Sequence, residues 1–248
     1  ALDARVFEVF YQAKVIADEN KIVGVEALLR WRGEDGELIS PVDFIPLAEE
    51  TGLIIPLGKY VLQQACFDAK SLIDQGANII VSVNISAVQF REESFLQMVQ
   101  ESLQVSGLKS CFLELEITEG VLAKNIQRTQ QLLSSLRALG VRIALDDFGT
   151  GYSSLTYLKS FPLDVLKIDQ GFVRDMLVDK SDAVIVDAIV RISQAFELEL
   201  VAEGVETLEQ VSVLQSLGCR IMQGYLYSKP IAFEEFVALL HSGKFGFK

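Results

Sequence analysis

Residues 143–154 read Ile-Ala-Leu-Asp-Asp-Phe-Gly-Thr-Gly-Tyr-Ser-Ser. Apolar residues run up to two adjacent carboxylates, and a loop marked by Gly149 and Gly151 then leads into a helical pattern. Successive side chains of a strand point to opposite faces. Asp146 and Asp147 therefore share a face only if the chain is already leaving the strand there. Two like charges side by side raise each other's pKa unless a cation lies between them. Taken alone, the pair also fits a helix cap beside a solvated turn. The rest of the chain decides, because it keeps delivering acids and amides to equivalent places.

At 248 residues the chain can bury one large core, and no linker rich in Pro, Gly or Ser divides it, so residues 1–248 are read as a single domain. Half the residues are apolar and 23% are charged, an ordinary globular composition. The net charge of −12 argues against duplex nucleic acid, whose sequence-independent binding needs basic surface. A small phosphorylated ligand stays open, since a bound cation reverses the local sign. There is no run of roughly 18 apolar residues, and the opening residues do not read as a signal peptide, so any native targeting segment is expected to lie outside this sequence. The chain enters a strand pattern almost at once after Ala1. It is therefore expected to be a cytoplasmic domain of a longer protein, with any membrane anchor in segments outside it.

Cys66, Cys111 and Cys219 are odd in number and lack metal-type spacing, which reads as buried thiols in a reducing compartment. The single histidine, His241, lies in a C-terminal helical pattern. Histidine-built zinc sites and Ser-His-Asp triads are thereby hard to assemble.

Strand patterns at 6–16 and 22–29 come first, followed by the Ser40-Pro41 helix start. Within 57–75, Val61, Leu62, Ala65, Cys66, Ala69, Leu72 and Ile73 recur at helical spacing, and Gly76 stops the helix. Short strands at 79–84, 112–117, 141–146, 165–168, 198–203 and 220–223 then alternate with helical patterns near 95–105, 119–139, 153–159, 183–196 and 207–217. A last helix is expected at 233–241, and Gly140 and Gly218 sit just past helix ends. Eight strands in this many residues predict an α/β fold of the (β/α)8 barrel type. Alternation alone leaves a doubly wound open sheet as the alternative.

Near or at the C-terminal end of each strand after the first, a polar residue breaks the apolar run: Glu26, Asn84, Glu116, Asp146 with Asp147, Lys167, Glu203 and Gln223. A barrel converges these ends on one face, where catalytic groups usually sit. Each has a structural explanation alone, as a helix cap, a loop start or an ion pair. Together they would place five carboxylates and two amides around a single lysine, which is untenable without cations. A metal site is expected. Oxygen-only ligands point to Mg²⁺ or Mn²⁺, with Ca²⁺ as another occupant. Five acids exceed the needs of one Mg²⁺, so two ions sharing Asp146 fit better, with Asp147 committed to the second. Such a pair suits in-line hydrolysis of a phosphodiester. Lys167 would orient the nucleophilic water, and Arg30 would grip a phosphate through its forked donors.

Glu26-Ala27-Leu28-Leu29-Arg30-Trp31 resembles the signature of EAL domains, the bacterial cyclic-di-GMP phosphodiesterases. The resemblance continues through Val83-Asn84-Ile85-Ser86, Glu116-Ile117-Thr118-Glu119, the loop from Asp146 to Ser154, Lys167-Ile168-Asp169, Glu203-Gly204-Val205-Glu206 and Gln223-Gly224-Tyr225. It covers essentially the whole chain. It implies a modified TIM barrel with an antiparallel first strand, and hydrolysis of cyclic di-GMP to linear pGpG with two Mg²⁺ or Mn²⁺ ions, Ca²⁺ binding without turnover. Position by position, it implies Glu26, Asn84, Glu116 and Asp146 on one ion. Asp146, Asp147 and Glu203 would serve the second, with Lys167 and Gln223 around the attacking water and Glu203 as candidate general base. Gln12, Glu26, Leu28 and Arg30 would contact the dinucleotide. Glu119 and Glu206 would brace the Phe148–Ser154 loop, which includes Thr150 and Gly151 and which couples the site to a homodimer interface in this family. An N-terminal sensory or cyclase domain is implied for the full-length protein.

Two departures are visible: Arg32-Gly33 where relatives often carry a His, and Ala13 where Pro is frequent. Two other functions compete. One is a receptor that holds cyclic di-GMP without cutting it. The other is a barrel lyase using Lys167 as a Schiff base, which needs a neutral lysine, whereas crowded carboxylates would keep it charged.

Overall fold

The computed structural model describes residues 6–122, 125–150, 155–243 and 245. Strands β1 (Phe7–Ile16) and β2 (Lys21–Arg32) form an antiparallel hairpin, to which the short β3 (Leu38–Ile39) adds at the far end of β2. Helices α1 (Pro41–Glu50) and α2 (Ile54–Asp74) follow, then β4 (Ile80–Asn84), α3 (Ala87–Arg91), α4 (Phe95–Ser106) and β5 (Leu113–Thr118). Next come α5 (Glu119–Leu122), α6 (Ile126–Ala138), β6 (Arg142–Phe148), α7 (Leu155–Ser160), β7 (Val165–Ile168), α8 (Gln170–Asp175) and α9 (Lys180–Ala195). The chain ends with β8 (Glu199–Ala202), α10 (Leu208–Leu217), β9 (Ile221–Gln223) and α11 (Phe233–Ser242).

β2 and β4 through β9 pair in parallel in chain order, and β1 closes the ring by pairing antiparallel with both β2 and β9. Closure rules out the open sheet and leaves no unpaired edge in the ring. One continuous apolar core lies between the strands' outer faces and the helices. A separate small cluster of Ala144, Val165 and Val201, with Ile221 against it, shares the inward rows of Asp146, Lys167, Glu203 and Gln223.

Some boundaries differ from the sequence reading. β2 does not stop near residue 29, because after its last pair with β4 (Ala27↔Val83) it stays paired with β1 as far as Trp31. Trp31 packs edge-on against Phe44 of α1 at 5.7 Å between ring centroids, which anchors this overrun. The helix expected over 119–139 is broken, since Asn125 adopts φ 55° and its side chain accepts the Arg128 N–H to start α6 afresh. α7 begins at Leu155, and residues 153 and 154 of the expected helix lie outside the described residues. α3 was legible in principle: Ser86 and Gln89 form a reciprocal capping box. Cys66 and Cys219 are buried with thiols pushed up to about 12 by burial, whereas Cys111 is exposed, contrary to expectation.

Gly224 holds the end of β9 against the β8–α10 connection. A Cβ there would lie 2.1 Å from the Val205 carbonyl oxygen and 2.3 Å from its nitrogen. That approach lets the Val205 N–H donate to Gln223 O, and the Leu226 N–H to Val205 O, both at 3.0 Å. Gly224→Ala is expected to cost about 1–3 kcal/mol, because backbone cannot give way as a side chain can. Calorimetry should then show Tm lowered by roughly 2–10 °C, and a Tm within about 1 °C of the parent would contradict the packing argument.

Candidate active site

The inward rows meet at Lys167. Its side chain is fully buried, and its ammonium contacts carboxylates from four other strands or strand ends. Glu203 Oε1 lies 2.6 Å away, Asp146 Oδ1 3.1 Å and Glu26 Oε2 3.7 Å, and Glu116 Oε2 accepts a hydrogen bond from it. Glu26 in turn accepts from Asn84 Nδ2 at 2.5 Å and from the Gln223 amide. Gln223 also donates to Gln12 Oε1 at 3.0 Å. The fold thus gathers Glu26, Asn84, Glu116, Asp146, Lys167, Glu203 and Gln223 at one mouth of the barrel, with Gln12 beside them. Glu26 reaches it from mid-strand, because β2 overruns the rim.

Burial alone would lower the pKa of Lys167, but Asp146, Glu116, Glu203 and Glu26 hold it well above the ordinary lysine value. That direction is the opposite of the one a Schiff-base lysine needs, since its amine must be neutral to attack a carbonyl. Burial raises the pKa of Glu203, Lys167 pulls it back, and Asp146, Glu26 and Glu116 push it well above the usual carboxylate range. Burial first, then Asp146 and Asp169, raise Asp147 to about 6.

β6 resolves the geometry of the Asp pair. Leu145 pairs with Leu166 and Phe148 with Ile168, so β6 carries one residue more than β7 over this interval, a bulge. Asp147 takes up the extra length at φ 54°, a left-handed conformation that Asp tolerates better than most residues. The chain turns, and both carboxylates approach Glu203. Among the described residues, Asp146, Asp147 and Glu203 form a group whose ligand oxygens all lie within 4.8 Å of one another. These are the acids expected on the second ion. The set expected on the first, Glu26, Asn84, Glu116 and Asp146, is instead engaged by amide and ammonium donors. The oxygen-only donor set, the upward pressure on two of its pKa values and the buried, unpartnered Gln223 Oε1 fit a hard divalent cation.

A cleft of about 490 Å³ is lined by Leu28, Arg30, Pro41, Ile45, Asn84, Gln89 and Glu116, so it adjoins the cluster at Asn84 and Glu116. Arg30 is half-buried, 5.9 Å from the Phe10 ring, and donates to its own Leu29 carbonyl. It is in no ion pair among the described residues and so offers an unspent positive charge. Gln12 differs from the other expected substrate contacts. It is buried, with its oxygen taken by Gln223 and its amide donating to Ser228 O at 3.0 Å.

Glu119 Oε1 accepts the Gly149 N–H at 2.9 Å, and the Thr150 hydroxyl donates to Asp147 O at 2.8 Å. Gly151 lies outside the described residues. Glu206 is exposed, and its N–H donates to Gln210 Oε1 at 2.8 Å.

The single lysine expected from sequence is one of two. Lys14 of β1 is buried inside the barrel, where its ammonium bonds Ser82 Oγ, Glu114 Oε1 and Glu116 Oε1. Gly24, facing it on β2, leaves room for its stem, since a Cβ there would lie 3.1 Å from Ile80 O and 3.5 Å from Lys14 Cδ. Asp169, which caps α8 through the Gly171 N–H at 2.9 Å, also acts on Asp147. The alternation Gln12-x-Lys14 and Glu114-x-Glu116 carries the signal for the inner residues.

An eight-stranded α/β barrel with an acidic, oxygen-donor cluster where its parallel strands end is the class defined by fold and site. Within it, the chain belongs to the EAL domain family, whose model matches residues 1–230. It is 43% identical over 239 residues to the bifunctional diguanylate cyclase/cyclic di-GMP phosphodiesterase MucR of Pseudomonas aeruginosa, covering 96% of this chain and 35% of that protein. It is also 43% identical over 234 residues to the cyclic di-GMP phosphodiesterase NbdA of the same organism, covering 93% of this chain and 30% of that one. The structure of the MucR phosphodiesterase in complex with c-di-GMP aligns with TM-score 0.92 at 43% identity over 95% of this chain and 96% of that one. The chain spans about a third of the length of these two curated relatives.

Asp147 binds its proton more tightly folded, at about 6 against 3.8 ordinarily. Its contribution to stability is complete below about pH 4 and lost as pH rises through about 6. Without divalent cations, Asp147→Asn should gain Tm relative to the parent between about pH 4 and pH 7. Parallel Tm curves for the two proteins over that range would remove the crowding argument.

Proposed function

We propose that this domain hydrolyses cyclic di-GMP to linear pGpG using two Mg²⁺ or Mn²⁺ ions, and that residues 1–248 act as one catalytic unit. The observation that carries the proposal is the convergence of Asp146, Asp147 and Glu203, joined through Lys167 to Glu116, which lines a cleft together with Asn84 and Arg30. The family membership and the relatives named for this substrate support it. The ring supports the single unit, since it needs strands from Phe7 to Gln223 to close.

Asp146, Asp147 and Glu203 would hold one cation, and Glu26, Asn84, Glu116 and Asp146 the other. When bound, the ions supply an acidified water and neutralise charge on the scissile phosphate. Leu28 and Arg30 line the same cleft as Asn84 and Glu116, and the Arg30 fork suits a phosphate oxygen pair. Lys167 stays charged, so it holds Glu116, Asp146 and Glu203 in one orientation and favours negative charge developing nearby. Glu203 would serve as the general base once a bound cation offsets the burial and the neighbouring acids that raise its pKa. Gln223, bonded to Glu26, orients that carboxylate.

Chromatography of cyclic di-GMP incubated with the protein and Mg²⁺ or Mn²⁺ tests this directly. Linear pGpG is the expected product. Glu26→Ala and Asp146→Ala should each lower kcat roughly a hundredfold or more, as losing a ligand exceeds the loss of its outer-shell partner. Lys167→Ala should reduce kcat more than it raises KM. Substrate that stays intact while binding measurably would make the domain a receptor instead, and near-parental turnover in both acid variants would remove the metal assignment.

A further inference from the structure

Lys14 lies below the cleft, 4% exposed, and spends all three ammonium hydrogens inside the barrel. It donates to Ser82 Oγ at 2.6 Å, to Glu114 Oε1 at 2.8 Å and to Glu116 Oε1 at 2.7 Å. Ser82 Oγ also donates to Glu114 Oε1 at 2.7 Å. Arg142 grips the other Glu114 oxygen at 3.2 Å and reaches Glu199 at 2.8 Å. Charges of alternating sign therefore run through the barrel from Glu199, through Arg142, Glu114, Lys14 and Glu116, to Lys167.

We infer that Lys14 is a positioning residue for Glu116: by holding Oε1 it fixes the rotation of that carboxylate and leaves only Oε2 on the side of Asp146 and Glu203. An unpinned glutamate has three rotatable bonds, and it can turn away from a cation or take it with both oxygens. Pinned from below by Lys14, Glu116 meets Lys167 with one oxygen, in a fixed orientation. Outer-shell partners of this kind orient a metal's ligands without touching the metal. The inference rests on the cation-dependent reading of the site.

Charge alone predicts the opposite effect. Deleting an ammonium beside an acidic cluster would tighten a divalent cation, whereas losing the orientation of a ligand loosens it. The sign of the change separates the two. Isothermal titration of Mn²⁺ into the parent chain and into Lys14→Met, which keeps the stem and drops the charge, reads it out. The variant is expected to bind roughly ten- to a hundredfold more weakly, and binding as tight as the parent's, or tighter, would overturn the role of Lys14. A parent that binds no Mn²⁺ would overturn the metal reading itself, a distinguishable result. If Lys14→Met fails to fold by circular dichroism, Ser82→Ala decides. It removes one tether while keeping the charge, so weaker Mn²⁺ binding is expected, by less than the roughly tenfold loss at a direct partner of the ligand. Unchanged Mn²⁺ affinity in that variant would overturn the inference.

Discussion

The Lys167 ammonium, with no solvent exposure, lies among carboxylates brought by β2, β5, β6 and the end of β8. Removing an ion from water costs several kcal/mol even after relaxation, so a buried charge persists only where close partners offset it. The partners of Lys167 are far apart in sequence, from Glu26 to Glu203, and only ring closure brings them within reach. The fold and the charge cluster therefore imply each other: the barrel assembles the acids, and Lys167 makes their assembly tolerable. The offset is incomplete. Lys14, Lys167 and Arg142 face Glu26, Glu114, Glu116, Asp146, Asp147 and Glu203, so acids outnumber cations. The strain of that excess is uneven. Glu114, with Lys14 and Arg142 on its two oxygens, is held down at about 2 despite its burial, whereas Asp147 and Glu203 are driven upward. The unmet demand for positive charge falls on two members of the acidic trio.

The barrel interior divides accordingly. Lys14, Ser82 and Glu114 form a polar half on β1, β4 and β5, next to an apolar half of Ala144, Val165, Val201 and Ile221 on β6 to β9. Apolar side chains cannot solvate the ions beside them, so the attraction between charges is stronger there than in water. A low-dielectric wall under the acidic mouth also narrows the choice of counter-charge. Either a lysine reaches up from below, as Lys167 does, or a cation arrives from the cleft.

Much of this was legible in the sequence because a charged residue in an apolar strand has few harmless explanations. Glu116 in Leu-Glu-Leu-Glu-Ile and Lys167 in Val-Leu-Lys-Ile interrupt runs that otherwise read as fully buried. Attention to the tips of parallel strands finds these and passes over Lys14, because β1 runs the other way and presents its inward residues mid-strand. The same period-two logic, applied along the whole strand, pairs Lys14 with Gln12 and Glu114 with Glu116. The overrun of β2 has no local mark at all. It follows from β4 ending while β1 continues, a property of two partners and not of the residues 28–32 themselves.

The Asp pair was legible as a conflict and illegible as its solution. Regular extended backbone would send Asp147 outward, toward the helices, and leave Asp146 alone at the mouth. One additional residue reverses facing along a strand, and here the bulge is placed so that the reversal falls between the two acids. A left-handed residue with a side chain costs of order 1–2 kcal/mol, and nothing in Asp-Asp-Phe-Gly marks which residue will bear it. What holds it lies in the loop. The Thr150 hydroxyl and N–H both reach Asp147 O, while Glu119 takes the N–H of Gly149. Gly149 itself needs φ 99° and has Phe172 2.9 Å from where a Cβ would sit, so the loop is clamped by backbone and ring together. Asp147 is thus held from behind by Gly149 and Thr150, which are not among the trio whose oxygens meet. Gly149 and Thr150 reach the trio through the backbone of Asp147, whose carbonyl Thr150 bonds twice.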